Sequence, residues 1–197
     1  MTAIEKIKKI LTENDGLITT VMCDDNGIHK QNLLNMVKNN EIIRIARGVY
    51  ALPTAFADDM FLLQARHKMG VFSMGTALFL YDLTDQTPIN FSMTFPQSYN
   101  TKNAIKDSVR CYVQEMRFYE LGITTIKTHF GSMVKVYDME KTICDIVKNK
   151  NKIDISMFSN AMKRYSESKL KRPVQAIKYS EIMGIESEIR KYLEVLI

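Results

Sequence analysis

Three amide side chains lie close together in the chain, at Gln31, Asn32 and Asn35. An amide presents a hydrogen-bond donor beside an acceptor, and this pair matches the edge of adenine in the major groove of DNA. Gln31 and Asn35 are four residues apart and would share one face of a helix. These residue types therefore indicate direct contact with base edges.

Cationic side chains flank the amides on both sides. Lysine and arginine neutralise backbone phosphates, and such contacts supply much of the affinity of a protein for DNA without reading its sequence. The cations of this segment are Lys30, Lys38, Arg44 and Arg47. Together with the amides, they predict an interface with double-stranded DNA.

Three predicted helices must hold these side chains in place. Apolar residues recur three and four positions apart in residues 4–11, which predicts a first helix. Thr19 or Thr20 is placed to cap a short second helix, because a threonine hydroxyl accepts a hydrogen bond from a backbone N–H of the first turn. A third helix is predicted over residues 29–39. Its predicted buried residues are Leu33, Leu34, Met36 and Val37.

Two β-rich runs, residues 42–45 and 49–52, follow the third helix and meet at Arg47 and Gly48. Glycine tolerates the positive φ of a tight turn, so the two runs predict a hairpin. Helix, short helix, polar helix and hairpin, in that order, indicate a winged helix-turn-helix domain, whose third helix enters the major groove. The predicted DNA-binding residues are Thr19, Thr20, Lys30, Gln31, Asn32, Asn35, Lys38, Arg44 and Arg47.

The net charge is unevenly distributed along the 197-residue chain. Of the formal net charge of +5, residues 1–52 carry +1, residues 53–101 carry −2 and residues 102–197 carry +6. A DNA-binding function must therefore account for cations in the C-terminal part. A basic run there is either a second phosphate-contacting surface or an ordinary solvated loop. It contains Lys148, Lys150, Lys152, Lys163, Arg164, Lys169, Lys171 and Arg172.

The residues after Pro53 predict a second domain. A connecting helix that Asp58 and Asp59 open is expected in residues 54–69. Residues 89–95 alternate apolar with polar side chains, which is typical of a half-buried strand. Further strands are expected near residues 110–116, 123–128 and 133–137, and helices near residues 139–147, 155–165, 174–183 and 185–196. The sequence thus predicts an α+β fold, with a winged helix-turn-helix domain over residues 1–53 and a small sheet packed by helices over residues 70–197.

Three carboxylates, Asp138, Glu140 and Asp145, leave an enzymatic alternative open. Grouped carboxylates can bind metal ions or transfer protons, for example in an enzyme that modifies a nucleotide or a partner protein. Successive helix residues point about 100° apart, however, so these three would not converge on one helix. Asp138 and Glu140 fit a helix cap and a first-turn acid better. The chain has no phosphate-loop or hydrolase motif, and the sequence predicts neither a metal nor a cofactor.

Protein binding is the other alternative, because winged-helix domains also bind proteins and a polar helix face is often simply solvated. The three scattered cysteines do not suggest a disulfide framework. No apolar run approaches the ~18 residues of a membrane span, and the N-terminus lacks the apolar core of a signal peptide. We therefore expect a cytoplasmic protein.

Four segments resemble the AbiEi family of antitoxin-regulators from streptococcal abortive-infection systems. They are GLITT at 16–20, GIHKQNLLNMVKNNEIIRIARGVYALP at 27–53, GVFSMGTALFLYDLTDQTPINFSMTFPQSYN at 70–100 and VYDMEKTICDIVKNKNKID at 136–154. The phrases GVYALP and V-Y-D-x-E-x-T-x-x-D are the most specific. The sequence departs from the family pattern at His29, where a serine or threonine helix cap is usual.

The resemblance implies a type IV toxin–antitoxin system of phage defence. In such a system the antitoxin opposes a nucleotidyltransferase-like toxin without forming a stable complex with it. The resemblance also implies that the protein represses its own operon through inverted repeats in the promoter. By position, residues 30–38 and 44–48 would contact DNA, and the C-terminal domain would provide the antitoxin activity.

Overall fold

The computed structural model describes residues 1–55 and 58–196, which form helices and two small sheets in a mixed α+β protein. The chain divides into two compact units. Unit 1 comprises Met1–Lys68 and Lys127–Val134, and unit 2 comprises Met69–Ile126 and Lys135–Ile197. Among the described residues, no helix is both long enough and apolar enough to cross a membrane.

Unit 1 combines short helices with a three-stranded antiparallel sheet in the order β1-β3-β2. Its elements are α1 (Ala3–Glu13), β1 (Leu17–Thr19), α2 (Thr20–Asp25), α3 (Gln31–Lys38), β2 (Ile43–Ala46), β3 (Val49–Ala51) and α4 (Asp59–Arg66). The predicted three helices and hairpin are therefore confirmed as elements. Strand β1 was not predicted, because three residues are too few to show a period.

The core of unit 1 follows from the helical spacing of its apolar residues. Thr2 and Glu5 form a reciprocal cap at the start of α1, each side chain accepting from the other's backbone N–H. This cap fixes the register in which the apolar side of α1 faces inward. Burying each large aliphatic side chain stabilises the fold by roughly 1.5–3 kcal/mol. The buried residues include Ile7, Leu11, Ile18, Cys23, Leu33, Met36 and Ile42.

The remaining strands form a five-stranded sheet in the order β6-β5-β4-β8-β7. Strands β4 and β5 are antiparallel, whereas β4 with β8 and β5 with β6 are parallel. The strands are β4 (Val71–Phe72), β5 (Ser92–Pro96), β6 (Arg110–Gln114), β7 (Ile123–Lys127) and β8 (Met133–Tyr137). The helices are α5 (Met74–Leu80), α6 (Lys102–Lys106), α7 (Met116–Tyr119), α8 (Met139–Lys148), α9 (Ile155–Glu167), α10 (Pro173–Met183) and α11 (Glu186–Leu196).

The strand predicted over residues 89–95 is confirmed as β5, but its predicted start and half-buried character are wrong. Strand β5 begins at Ser92, all five of its residues are buried, and Ile89 is 99% exposed. Because β5 lies between two neighbouring strands, its alternate polar residues are enclosed as well. The Thr94 hydroxyl donates to Ser73 Oγ at 2.9 Å, and the backbone N–H of Ser92 donates to Thr76 Oγ1 at 2.8 Å.

Helix α8 is the centre of the core of unit 2. It is buried on all sides from Met139 to Val147, which encloses charged as well as apolar side chains. Residues of α5, α9, α10 and α11 complete the cluster around it. Its buried apolar members include Leu78, Ile143, Ile146, Ala161, Tyr165, Met183 and Ile189.

Candidate nucleic-acid interface

His29 sets the start of α3. The predicted helix begins at residue 29, whereas α3 begins at Gln31. The Gln31 N–H donates to Nδ1 of His29 at 3.3 Å, and the Asn32 N–H donates to the His29 carbonyl oxygen at 3.0 Å. These bonds satisfy N–H groups that a helix leaves unpaired at its first turn. His29 therefore stabilises the turn into α3 from outside the helix, while Lys30 at the cap position makes no capping hydrogen bond through its side chain.

Gln31, Asn35 and Lys38 are exposed and lie four and seven residues apart, on one face of α3. Nε2 of Gln31 donates to Oδ1 of Asn35 at 3.2 Å. That bond leaves the Gln31 acceptor and the Asn35 donors without another partner among the described residues. A neighbouring donor and acceptor of this kind can bind the edge of an adenine base. Lys30, also exposed, immediately precedes the helix.

Asn32 differs from the other two amides. It is half-buried, and its Nδ2 donates to the carbonyl oxygen of His29 at 2.9 Å. The same carbonyl oxygen accepts the Asn32 backbone N–H. The side chain of Asn32 thus stabilises the turn that leads into α3.

Leu34 was predicted to be buried, and this prediction is wrong, because its side chain is 37% exposed. Leu34 lies three residues after Gln31 and four before Lys38, which places it on the exposed face of α3. The spacing alone could have revealed this position. An apolar side chain there can contact the methyl group of thymine, so Leu34 is a candidate contact that residue type did not suggest.

Two threonines join α2 to the hairpin. Thr19 caps α2, its Oγ1 accepting from the Met22 N–H at 3.1 Å, so one of the two predicted caps is confirmed. The Thr20 N–H donates to the Gly48 carbonyl oxygen at 2.9 Å. Gly48 has a φ of +76°, and a Cβ atom there would lie 2.9 Å from Thr20 Oγ1. Glycine thus permits both the turn and its close approach to α2.

Both arginines of the hairpin are exposed. Arg44 lies opposite Tyr50 in the sheet, and its Nε donates to the Ala46 carbonyl oxygen at 3.3 Å across a bulge in β2. Arg47 occupies the turn and has no ion pair or hydrogen-bonded side-chain partner among the described residues. The guanidinium of Arg47 is therefore available to an external anion.

The structure separates the eight residues of the predicted second basic surface into two groups. Four are engaged within unit 2. Arg164 pairs with Asp85, Arg172 with Asp138 and Glu140, Lys171 donates to the Ser166 carbonyl oxygen, and Lys148 lies over the ring of Phe118. The other four are exposed, and among them Lys150 also lies over a ring, that of Tyr192, at 5.9 Å: Lys150, Lys152, Lys163 and Lys169. None of these four makes an ion pair with a described residue.

Arg172 joins the start of α10 to the start of α8. Its Nε and Nη2 donate to Glu140 Oε2 at 3.1 and 2.6 Å, and Nη2 also donates to Asp138 Oδ2 at 3.0 Å. Hydrogen bonding to Glu140 raises the pKa of Arg172. Burial raises the pKa of Asp138, while the N–H of Lys141, donating to Asp138 Oδ1 at 2.8 Å, opposes that rise. The predicted capping role of Asp138 is thus confirmed.

The third carboxylate, Asp145, lies in a separate buried pair. Lys141 Nζ contacts both Asp145 oxygens at 2.7 Å, and Gln114 bridges the two residues with bonds of 3.1 and 2.9 Å. Lys141 and Asp145 are 0% and 1% exposed. The three carboxylates therefore do not converge on one site, as the helical spacing predicted, because Asp138 and Glu140 pair with Arg172 and Asp145 pairs with Lys141.

Comparison with known proteins identifies the N-terminal segment. Residues 5–53, which run from the first turn of α1 to just after β3, match the family model of the AbiEi antitoxin transcriptional regulators. The resemblance seen in the sequence is thus confirmed for this segment. A search of curated protein sequences found no match. The crystal structure of the RV2827C protein from Mycobacterium tuberculosis is similar at a TM-score of 0.48 and 10% identity, over 98% of this chain and 81% of that one.

Proposed function

We propose that this protein is a transcriptional repressor whose N-terminal unit is a winged helix-turn-helix domain. It binds double-stranded DNA at inverted repeats in its own promoter. Helix α3 lies in the major groove, where Gln31 and Asn35 read base edges, and the hairpin of β2 and β3 contacts phosphate through Arg44 and Arg47. Lys30 and Lys38 add phosphate contacts at the two ends of α3.

One observation carries this proposal. Gln31, Asn35 and Lys38 stand exposed on one face of α3, while the hairpin that bears Arg47 is hydrogen-bonded to the start of α2. A polar, cationic helix face beside a fixed cationic turn is the arrangement that DNA recognition requires. The family match over the same residues supports it.

Gel-shift binding to a duplex from the promoter of its own gene tests the proposal. The triple variant Lys38→Ala, Arg44→Ala and Arg47→Ala removes three cations and should weaken binding on the order of 100-fold. Lys102→Ala, Lys106→Ala and Lys178→Ala remove as many exposed cations from unit 2 and should leave binding nearly unchanged. Equal binding by the two triple variants would refute the assigned interface.

The second part of the proposal concerns the antitoxin role. We infer that the protein opposes a nucleotidyltransferase-like toxin of a type IV phage-defence system without forming a stable complex. The family match supports a role as an antitoxin. Co-expression should restore growth to cells that express the toxin of the same operon, whereas purified toxin and antitoxin should elute separately in size-exclusion chromatography. Co-elution, or no restored growth, would contradict this role.

Four exposed lysines of unit 2 add contacts with DNA phosphates in this proposal. Charge reversal at Lys150, Lys152, Lys163 and Lys169 should weaken promoter binding by roughly tenfold or more, since each lost phosphate contact also removes a released counterion. Binding as tight as that of the wild type would show that these lysines are only solvated.

A further inference from the structure

Unit 2 contains a cavity of about 550 Å³ between α5, the residues before β5, strand β6 and the start of α9. Cavities that hold small molecules usually measure roughly 300–1,000 Å³ and combine apolar walls with a few polar groups. This wall has the same composition, with Ile153 and Met157 beside Thr76, Tyr112 and Arg110.

Gly75 keeps part of this cavity open. Its φ lies outside the left-handed region, so its backbone conformation suits any residue. A Cβ atom there would meet only the side chain of Met157, at 3.8 and 3.9 Å, which is ordinary contact. Glycine inside a helix is less stable than alanine. Neither the backbone conformation nor close packing requires glycine at position 75. The missing side chain leaves free space in the cavity.

The residue before it, Met74, holds a strained backbone. Its φ is +51°, in the left-handed region that is unfavourable for residues with a Cβ atom. Met74 is buried and also lines the cavity. Such strain tends to occur at sites that bind ligands, where the surrounding structure maintains it.

The charges of the cavity wall favour an anion. Arg110 and Lys152 are exposed, and neither makes an ion pair with a described residue. Asp154 is the single acidic residue among the described residues of the wall. Its Oδ1 already accepts from the N–H groups of Ser156 and Met157, at 2.9 and 3.1 Å. Two cations thus face the cavity against one acid that is engaged in capping α9.

We propose that this cavity binds a small organic anion with an apolar body. The anionic group pairs with Arg110 and Lys152, and the apolar body lies against Met157 in the space beside Gly75. Lys152 is also one of the four lysines of unit 2 proposed to contact DNA, whereas Arg110, Met157 and Gly75 belong to no proposed DNA contact, so the site is an additional binding function of unit 2.

Two fluorescent probes test the site in the full-length protein. The first is 1-anilinonaphthalene-8-sulfonate, an apolar anion, and the second is N-phenyl-1-naphthylamine, which is the same molecule without the sulfonate. The sulfonate probe should bind saturably with one site per chain and roughly tenfold more tightly than the neutral probe. Absence of saturable binding, or equal affinity for the two probes, would overturn the proposal.

Variants then locate the bound probe. Gly75→Leu fills the cavity and should weaken binding at least tenfold, whereas Gly75→Ala keeps the cavity open and should bind as the wild type does. Arg110→Gln with Lys152→Gln should weaken binding of the sulfonate probe about tenfold while sparing the neutral probe. Lys102→Gln with Lys106→Gln is the control for lost charge.

Circular dichroism and the melting temperature show whether Gly75→Leu retains the fold. If Gly75→Leu does not fold, the comparison of the double variant Arg110→Gln with Lys152→Gln and its control Lys102→Gln with Lys106→Gln tests the proposal. Binding of the sulfonate probe that is unaffected by Arg110→Gln and Lys152→Gln would place the probe elsewhere and overturn the proposal.

Discussion

At the scale of single residues, Gly48 links the hairpin to the helices. Its positive φ makes the turn, and its missing side chain lets the turn approach Thr20. Residue type predicted the first property, because glycine is the usual residue where φ is positive. The approach to Thr20 could not be predicted, because it joins residues that are distant in the sequence.

Gly48→Ala should therefore destabilise the protein by about 1–2 kcal/mol, through the cost of the left-handed conformation and the crowding of Thr20. Gly27→Ala is the matched control, because Gly27 has a φ of +65° but no atom within 4 Å of a Cβ. Urea denaturation should show the larger loss for Gly48→Ala. Equal losses of unfolding free energy in the two variants would mean that crowding of Thr20 adds nothing to the cost.

A second residue-scale prediction concerns the buried pair of Lys141 and Asp145. Asp145→Ala should lower the free energy of unfolding by about 3–5 kcal/mol, because it leaves a buried ammonium group without its partner. The double substitution Lys141→Met with Asp145→Leu removes both charges and should recover most of that loss. Urea denaturation of the two variants measures the difference. A double variant no more stable than Asp145→Ala would contradict this explanation.

At the scale of elements, the sequence pattern predicted the longer helices and also strands β6, β7 and β8, whereas short elements such as α6 and β4 were missed. Helices α8 to α11 begin and end within about two residues of their predicted bounds, because several turns of apolar spacing define each one. Strand β4 has two residues and could not be predicted from spacing. For β5, the alternation did not mean an exposed polar face, since a hydrogen bond to Ser73 Oγ allows the Thr94 hydroxyl to be buried.

The candidate DNA interface could likewise be predicted only in part. The polar residues of α3 and the hairpin were recognised by type and spacing. The roles of His29 and Asn32 in starting α3 depend on the local path of the backbone, which the sequence pattern does not define. The eight basic residues of the C-terminal part could not be sorted either, because the acidic partners of Arg164 and Arg172, Asp85 for Arg164 and Asp138 with Glu140 for Arg172, are far away in the sequence.

Helix α9 provides a pH prediction. Asp154 caps α9, and its hydrogen bonds with Ser156 and Met157 hold the pKa of this carboxyl below its ordinary value of 3.8. Because the pKa is lower in the folded state, the stability that this carboxylate contributes is present above pH 3.8 and is lost as the pH falls through its folded value.

The comparison of wild type with Asp154→Ala measures this contribution. The variant should be less stable at pH 6, and the difference should shrink as the pH falls well below 3.8. Asp154→Asn keeps an acceptor for the cap without the charge, so its stability should depend less on pH in this range. Urea denaturation at several pH values gives the difference. A difference that grows toward low pH would contradict the assigned role.

At the scale of the whole molecule, a distant segment completes unit 1. Residues Lys127–Val134 belong to it although they lie far along the chain. The Thr128 hydroxyl donates to Asp58 Oδ2, while Asp58 Oδ1 caps α4 by accepting from the Met60 N–H at 2.9 Å. The sequence predicted that Asp58 would open a helix. Its bond to Thr128 spans 70 residues and left no local pattern to recognise.

The distribution of charge also belongs to the whole molecule. Residues 1–52 carry an excess of only +1, so the proposed interface must depend on where its cations lie rather than on their number. Helix α3 and the hairpin present their cations without acidic partners among the described residues, and the proposed phosphate contacts depend on this arrangement.

The most direct test is the salt dependence of promoter binding by the full-length protein, measured by fluorescence anisotropy at several KCl concentrations. The triple variant Lys38→Ala, Arg44→Ala and Arg47→Ala should reduce the slope of log affinity against log salt by about 3, one for each phosphate contact. Gln31→Ala with Asn35→Ala should keep the wild-type slope but lose the preference for promoter over scrambled DNA. Unchanged slope in the triple variant, with unchanged preference in the amide variant, would contradict DNA recognition by α3 and the hairpin.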